Sequence, residues 1–69
     1  MDVQQIVHFF RGARVTIITT NTAAPIATGE VLDGDILTNT LSIKLTSPYN
    51  GFQTGTTVLF NVHDIVAIS

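Results

Sequence analysis

The chain opens with apolar residues at Val3, Ile6, Val7 and Phe10, the i, i+3, i+4, i+7 spacing of one helix face. Asp2 stands where an N-cap would, with Gln5 three residues on, and Gly12 follows as a stop, so a helix over about 2–11 is predicted. After Gly12 the period shortens to two. "RVTIITT" crowds β-branched residues that suit a pleated strand. "IATGEVL" sets Ala27, Gly29 and Val31 on one face, and "TLSIKL" sets Leu41, Ile43 and Leu45 on one face. "TTVLFNV" and "DIVAIS" end the chain as two further apolar runs. Between these segments lie "NTAAP", "DGD" and "TSPYNGFQTG", rich in turn-forming residues. The prediction is one helix and five strands, at about 13–20, 26–33, 36–46, 56–62 and 65–69, in a single domain 1–69. Gly29, inside a strand, marks a bend or bulge, and "DGD" marks a tight turn.

The fold class implied is all-β with one N-terminal helix, most economically a small, strongly bent five-stranded barrel of SH3-like or OB-like type. Sixty-nine residues bury only about 60% of the surface the unfolded chain exposes. No Cys is present, so neither a disulfide nor a thiolate zinc site supports the small core. With 45% hydrophobic and 12% charged residues, association with other copies is the remaining way to cover apolar surface. No run reaches the ~18 apolar residues of a membrane span. A signal peptide is not apparent either, so a cytoplasmic location and no membrane partner are expected. Net charge is −2, with Arg11, Arg14 and Lys44 the only Lys or Arg residues, which argues against a broad basic nucleic-acid surface.

The order of helix and strands is similar to that of the Sm-like family (Sm, LSm and Hfq), and particular residues carry the likeness. "GEVLDGDILTN" resembles the first Sm motif, Gly-x-apolar-x-x-x-Asp-x-x-apolar-Asn, with Gly29, Val31, Asp35 and Asn39 in register. Thr38 stands at an apolar position of that motif, and Leu41 and Ile43 fall one residue later than usual. "VLFNVHDIVAIS" resembles the second motif, two apolar runs around a polar break. Asn61 and Val62 stand where the Sm and LSm branch has Arg-Gly, while His63 stands at the His of the Hfq branch.

The resemblance implies a small Sm-like (SH3-like) barrel that forms homo-oligomeric rings of five to eight subunits. The fourth strand, "TTVLFNV", would pair with the fifth, "DIVAIS", of a neighbour. It also implies single-stranded RNA bound near the pore, as in an RNA chaperone or RNA-processing factor. The implied RNA contacts are Asp35, Leu37 and Asn39 from the first motif and Asn61, His63 and Asp64 from the second. Leu37 takes the position of a base-stacking side chain, and the second motif's customary cation is missing. An Asn amide offers donor and acceptor to a base edge, and an imidazole stacks or hydrogen-bonds.

Other residues admit plainer or competing roles. Gln4, His8, Arg11 and Arg14 would share a polar helix-side face able to meet phosphates, or only water. Tyr49 and Phe52 would stack bases or pack the long loop. Asp35 and Asn39 also suit a purely structural turn, and Asn61–Asp64 a solvated one. His63 and Asp64 are adjacent, and strand neighbours point to opposite faces, so a catalytic pair is not expected. No nucleophile stands in a recognisable setting, hence no enzyme activity and no cofactor are expected. Glu30, Asp33 and Asp35 lack the spacing of a full cation loop, and no metal is expected. With acids outnumbering cations five to three, any RNA affinity would rest on base contacts and vary little with salt. The alternative function is a structural or protein-interaction ring that has lost RNA binding.

Overall fold

A computed structural model describes all residues, Met1–Ser69. The helix α1 spans Val3–Phe10, followed by strands β1 (Arg14–Thr19), β2 (Ile26–Asp35), β3 (Thr40–Leu45), β4 (Thr57–Asn61) and β5 (Ile65–Ile68). A single 3-10 turn, Val62–Asp64, joins β4 to β5. The strands form one antiparallel sheet in the order β4-β3-β2-β1-β5. It is open, with β4 and β5 as its two edges. No helix is long and apolar enough to cross a membrane.

α1 starts at a complete capping box: Gln5 N donates to the Asp2 carboxylate at 2.9 Å, and Asp2 N donates to Gln5 Oε1 at 3.2 Å. Its apolar stripe buries Val3 and Ile6 and half-buries Val7 and Phe10 against the sheet. The predicted stop is present. Gly12 takes φ +80, a left-handed conformation that suits glycine, and its N–H donates to Val31 O at 2.8 Å, tying the helix exit to β2.

Period-2 alternation sorts β2 and β3 as predicted, and β1 follows the same rule. Val15, Ile17 and Thr19 face inward from β1, Ala27, Gly29 and Val31 from β2, and Leu41, Ile43 and Leu45 from β3. These residues and the helix stripe meet in one core with Tyr49, Phe60, Val62 and Ile65. Tyr49 and Phe60 lie with ring centroids 5.4 Å apart, so Tyr49 packs the loop. Thr19 is the one buried polar side chain. Its hydroxyl donates to Ala24 O and accepts from Asn21 N, so the burial leaves no orphan group.

Two predicted features are displaced. "DGD" is not the turn: β2 runs on to Asp35, and β3 begins at Thr40 rather than 36. The reversal falls on Ile36–Asn39, because the Asp35 carboxylate accepts from Leu37 N at 2.9 Å and Thr38 N at 3.4 Å, and Asn39 takes φ 54. Gly34 instead makes room for the helix. A Cβ there would collide with Val3 Cγ2 and lie 2.8 Å from Val7 Cγ2.

The irregularity expected at Gly29 lies a little further on, where the β2–β3 register shifts between Val31 and Asp33. Gly29 itself permits close approach of β3, since a Cβ would lie 2.6 Å from Lys44 O and against Ile43 Cγ2. A straight strand of ten residues spans about 30 Å, more than the longest dimension of the molecule, 27 Å. The bulge gives β2 the bend it needs.

Candidate nucleic-acid interface

The β2–β3 turn is organised by Asp35, whose carboxylate is occupied by two backbone N–H groups of the turn itself. Thr38 and Thr40 share a hydroxyl–hydroxyl bond of 2.8 Å at its exit. Leu37, at the tip, is 96% exposed, so this apolar side chain contributes nothing to the core of the subunit.

The second turn is built the same way. Asn61 caps it by accepting from His63 N through Oδ1 at 2.9 Å, which leaves the amide nitrogen to donate outward. Val62 is buried and anchors the turn, and its N–H donates to Asn39 O at 2.9 Å. That bond joins the two turns, which lie more than twenty residues apart in sequence. Asn39 and His63 thereby line one depression of about 330 Å³ with Met1, Val62, Ile65 and Val66.

The remaining residues of the implied RNA set do not join them. Asp64 turns the other way: Thr20 N donates to its carbonyl at 2.9 Å, and the Thr20 hydroxyl lies 3.4 Å from its carboxylate. With Asn61 it lines a separate depression of about 350 Å³ that also contains Thr20, Asn50, Phe52 and Leu59. His63 and Asp64 thus serve different surfaces, as expected for neighbours at a strand connection. Leu37 lines neither depression, and Asp35 supports its own turn.

On the helix side, Gln4, His8 and Arg11 recur at i, i+4 and i+7 and share a groove of about 480 Å³ with Val3, Val7, Gly34 and Ile36. Arg11 lies 3.5 Å from the Asp33 carboxylate, both side chains well exposed. Arg14 is not part of this face. It opens β1, pairs in register with Glu30, and lines a separate depression of about 270 Å³ with Thr16, Thr28, Thr46 and Ser47. The physical reason is the change of element at Gly12, which breaks the helical spacing before Arg14.

Lys44 also lies opposite Glu30, from the β3 side. Each fixed cation therefore has an acid as neighbour: Arg11 has Asp33, and Arg14 and Lys44 flank Glu30. Arg11–Asp33 is the one ion pair within 4.0 Å, and an exposed pair of this kind contributes at most about 1 kcal/mol to stability. Glu30, Asp33 and Asp35 do not converge, and no group of three or more His, Cys, Asp or Glu side chains is placed to hold a metal ion.

Sequence reasoning separated His63 from Asp64 but missed which residues each would join, Asn39 for His63 and Thr20 for Asp64, and the apolar floor that Gly34 and Ile36 give the helix-side groove. Neither leaves a local signal, since both depend on long-range pairing. No family model, curated protein or solved structure matches the chain.

Proposed function

We propose that the protein is a ring-forming subunit of Sm-like type, with its sheet bent as a small SH3-like barrel, that binds single-stranded RNA at the depression between its two turns. The observation that carries this reading is the Asn39 O to Val62 N bond. It joins the Asn of the first motif to the break of the second, so Asn39 and His63 line one depression of about 330 Å³, in the size range of small-ligand sites.

Ring formation draws on the open sheet. β4 and β5 each present one unpaired edge, and each carries an exposed apolar side chain, Leu59 on β4 and Val66 on β5. Pairing β4 of one subunit with β5 of the next would satisfy both edges and cover both side chains.

Fluorescence anisotropy with short U-rich and A-rich oligonucleotides tests the RNA reading. Binding tighter than roughly 100 μM at low salt, with a shallow salt dependence, is the expected result, and none at that level overturns it. A second reading, a protein-interaction ring without RNA, is favoured by the excess of acids over fixed cations, five to three, and by the pairing of Arg11 with Asp33. Under it, changes at Asn39 and His63 leave function untouched and a protein partner co-purifies.

A further inference from the structure

We propose that Asn50 is a site of spontaneous deamidation, converting in the folded protein to aspartate and isoaspartate. Asn50 and Gly51 form the two central residues of a tight turn, with φ 47 and φ 86, the type I′ signature. The turn is closed by Tyr49 N to Phe52 O at 2.9 Å and Phe52 N to Tyr49 O at 2.8 Å. Both central residues are exposed. The Asn50 side chain and the Gly51 N–H make no hydrogen bond, and a Cβ placed on Gly51 would meet nothing within 4 Å. The nucleophile and its target are thus adjacent, unshielded and unengaged.

The chemistry needs only water. The Gly51 backbone nitrogen, on losing its proton, attacks Asn50 Cγ. The new C–N bond closes a five-membered succinimide, the Cγ–Nδ2 bond breaks, and the amide leaves as ammonia. Water then adds to one of the two ring carbonyls. Opening at Cγ gives aspartate, and opening at the main-chain carbonyl gives isoaspartate, whose backbone runs through the side chain. No electron transfer occurs, and each path adds one negative charge. That charge would enter the depression Asn50 shares with Asp64.

The other three asparagines supply the internal comparison. Asn21, Asn39 and Asn61 precede Thr22, Thr40 and Val62, β-branched residues that crowd the attacking nitrogen. Two also have their amide oxygen occupied, Asn21 by Ala23 N at 3.0 Å and Asn61 by His63 N at 2.9 Å. Val62 N, the nitrogen that would attack Asn61, is donated to Asn39 O. Gly51 has neither branching nor a partner, and only two hydrogen bonds hold its turn against local opening.

The test is mass mapping with fragmentation after incubation of the intact protein in mildly alkaline buffer, with isoaspartyl methyltransferase labelling of the product. The expected result is a gain of about 1 Da localised to Asn50, growing faster as pH rises. It should exceed the rate at each other asparagine by at least about tenfold and vanish in Asn50→Gly, which keeps the left-handed turn. A gain spread evenly over the four asparagines, or centred on another of them, overturns the proposal. So does the absence of any gain while a synthetic Ser47–Gln53 peptide converts.

Discussion

Gly29 and Gly34 lie on the same strand and do different work, and their substitution separates the two. At Gly29 a methyl group meets the main chain of β3, which cannot move without breaking the ladder. Gly29→Ala should therefore cost about 3 kcal/mol or prevent folding. At Gly34 the methyl meets the Val3 and Val7 side chains of α1, and the helix can lift. Gly34→Ala should cost about 1–2 kcal/mol, the clash being partly offset by the lower entropy of the unfolded chain. Urea denaturation of both variants measures the difference. At the candidate site, Asn39→Gly is the informative change because it keeps φ 54 and removes only the amide. Together with His63→Ala it should weaken RNA binding about tenfold, about 1.4 kcal/mol, in anisotropy titrations while leaving the particle mass in light scattering unchanged. The sequence marked Gly29 and Asn39 as special. It did not tell that Gly34 receives a helix, because nothing local to "DGD" records what packs on it.

At the scale of elements, α1 is the clearest case of a local signal realised in full. Its capping box and apolar stripe are both present in nine consecutive residues, Asp2–Phe10. Asp2→Ala should cost about 1 kcal/mol. The loss should appear as faster amide exchange in the first turn of α1, with the exchange of β2 and β3 little changed, since the cap touches only the helix. The β2–β3 connection was less legible. Asp33, Gly34 and Asp35 form as good a turn signal as Ile36–Asn39, and what selects the latter is the Asp35 carboxylate reaching forward to Leu37 and Thr38. Moving the reversal onto Asp33–Asp35 would also move Leu41, Ile43 and Leu45 out of register with Gly29 and Val31 across the core.

For the whole molecule, the open edges decide the most. Nine large hydrophobic side chains stay exposed, among them Leu59 on one edge strand and Val66 on the other, more than a chain of this size can easily leave to water. Light scattering at micromolar concentration should give a mass several times that of one chain. Leu59→Lys, which charges the β4 edge, should shift it toward the single-chain value; a single-chain mass for the unsubstituted protein contradicts the ring. By itself the sequence determined the helix, the number of strands and which face of β2 and of β3 turns inward, because caps and period-2 alternation act between residues close along the chain. Only the tertiary structure decided the sheet order, the place of the bulge, the seat of α1 on Gly34 and the meeting of Asn39 with Val62. Each of these is a contact between residues far apart in sequence, which come together only once the core has formed. For the same reason the separation of His63 from Asp64 was visible from the start, while the neighbours each would find, Asn39 for His63 and Thr20 for Asp64, were not.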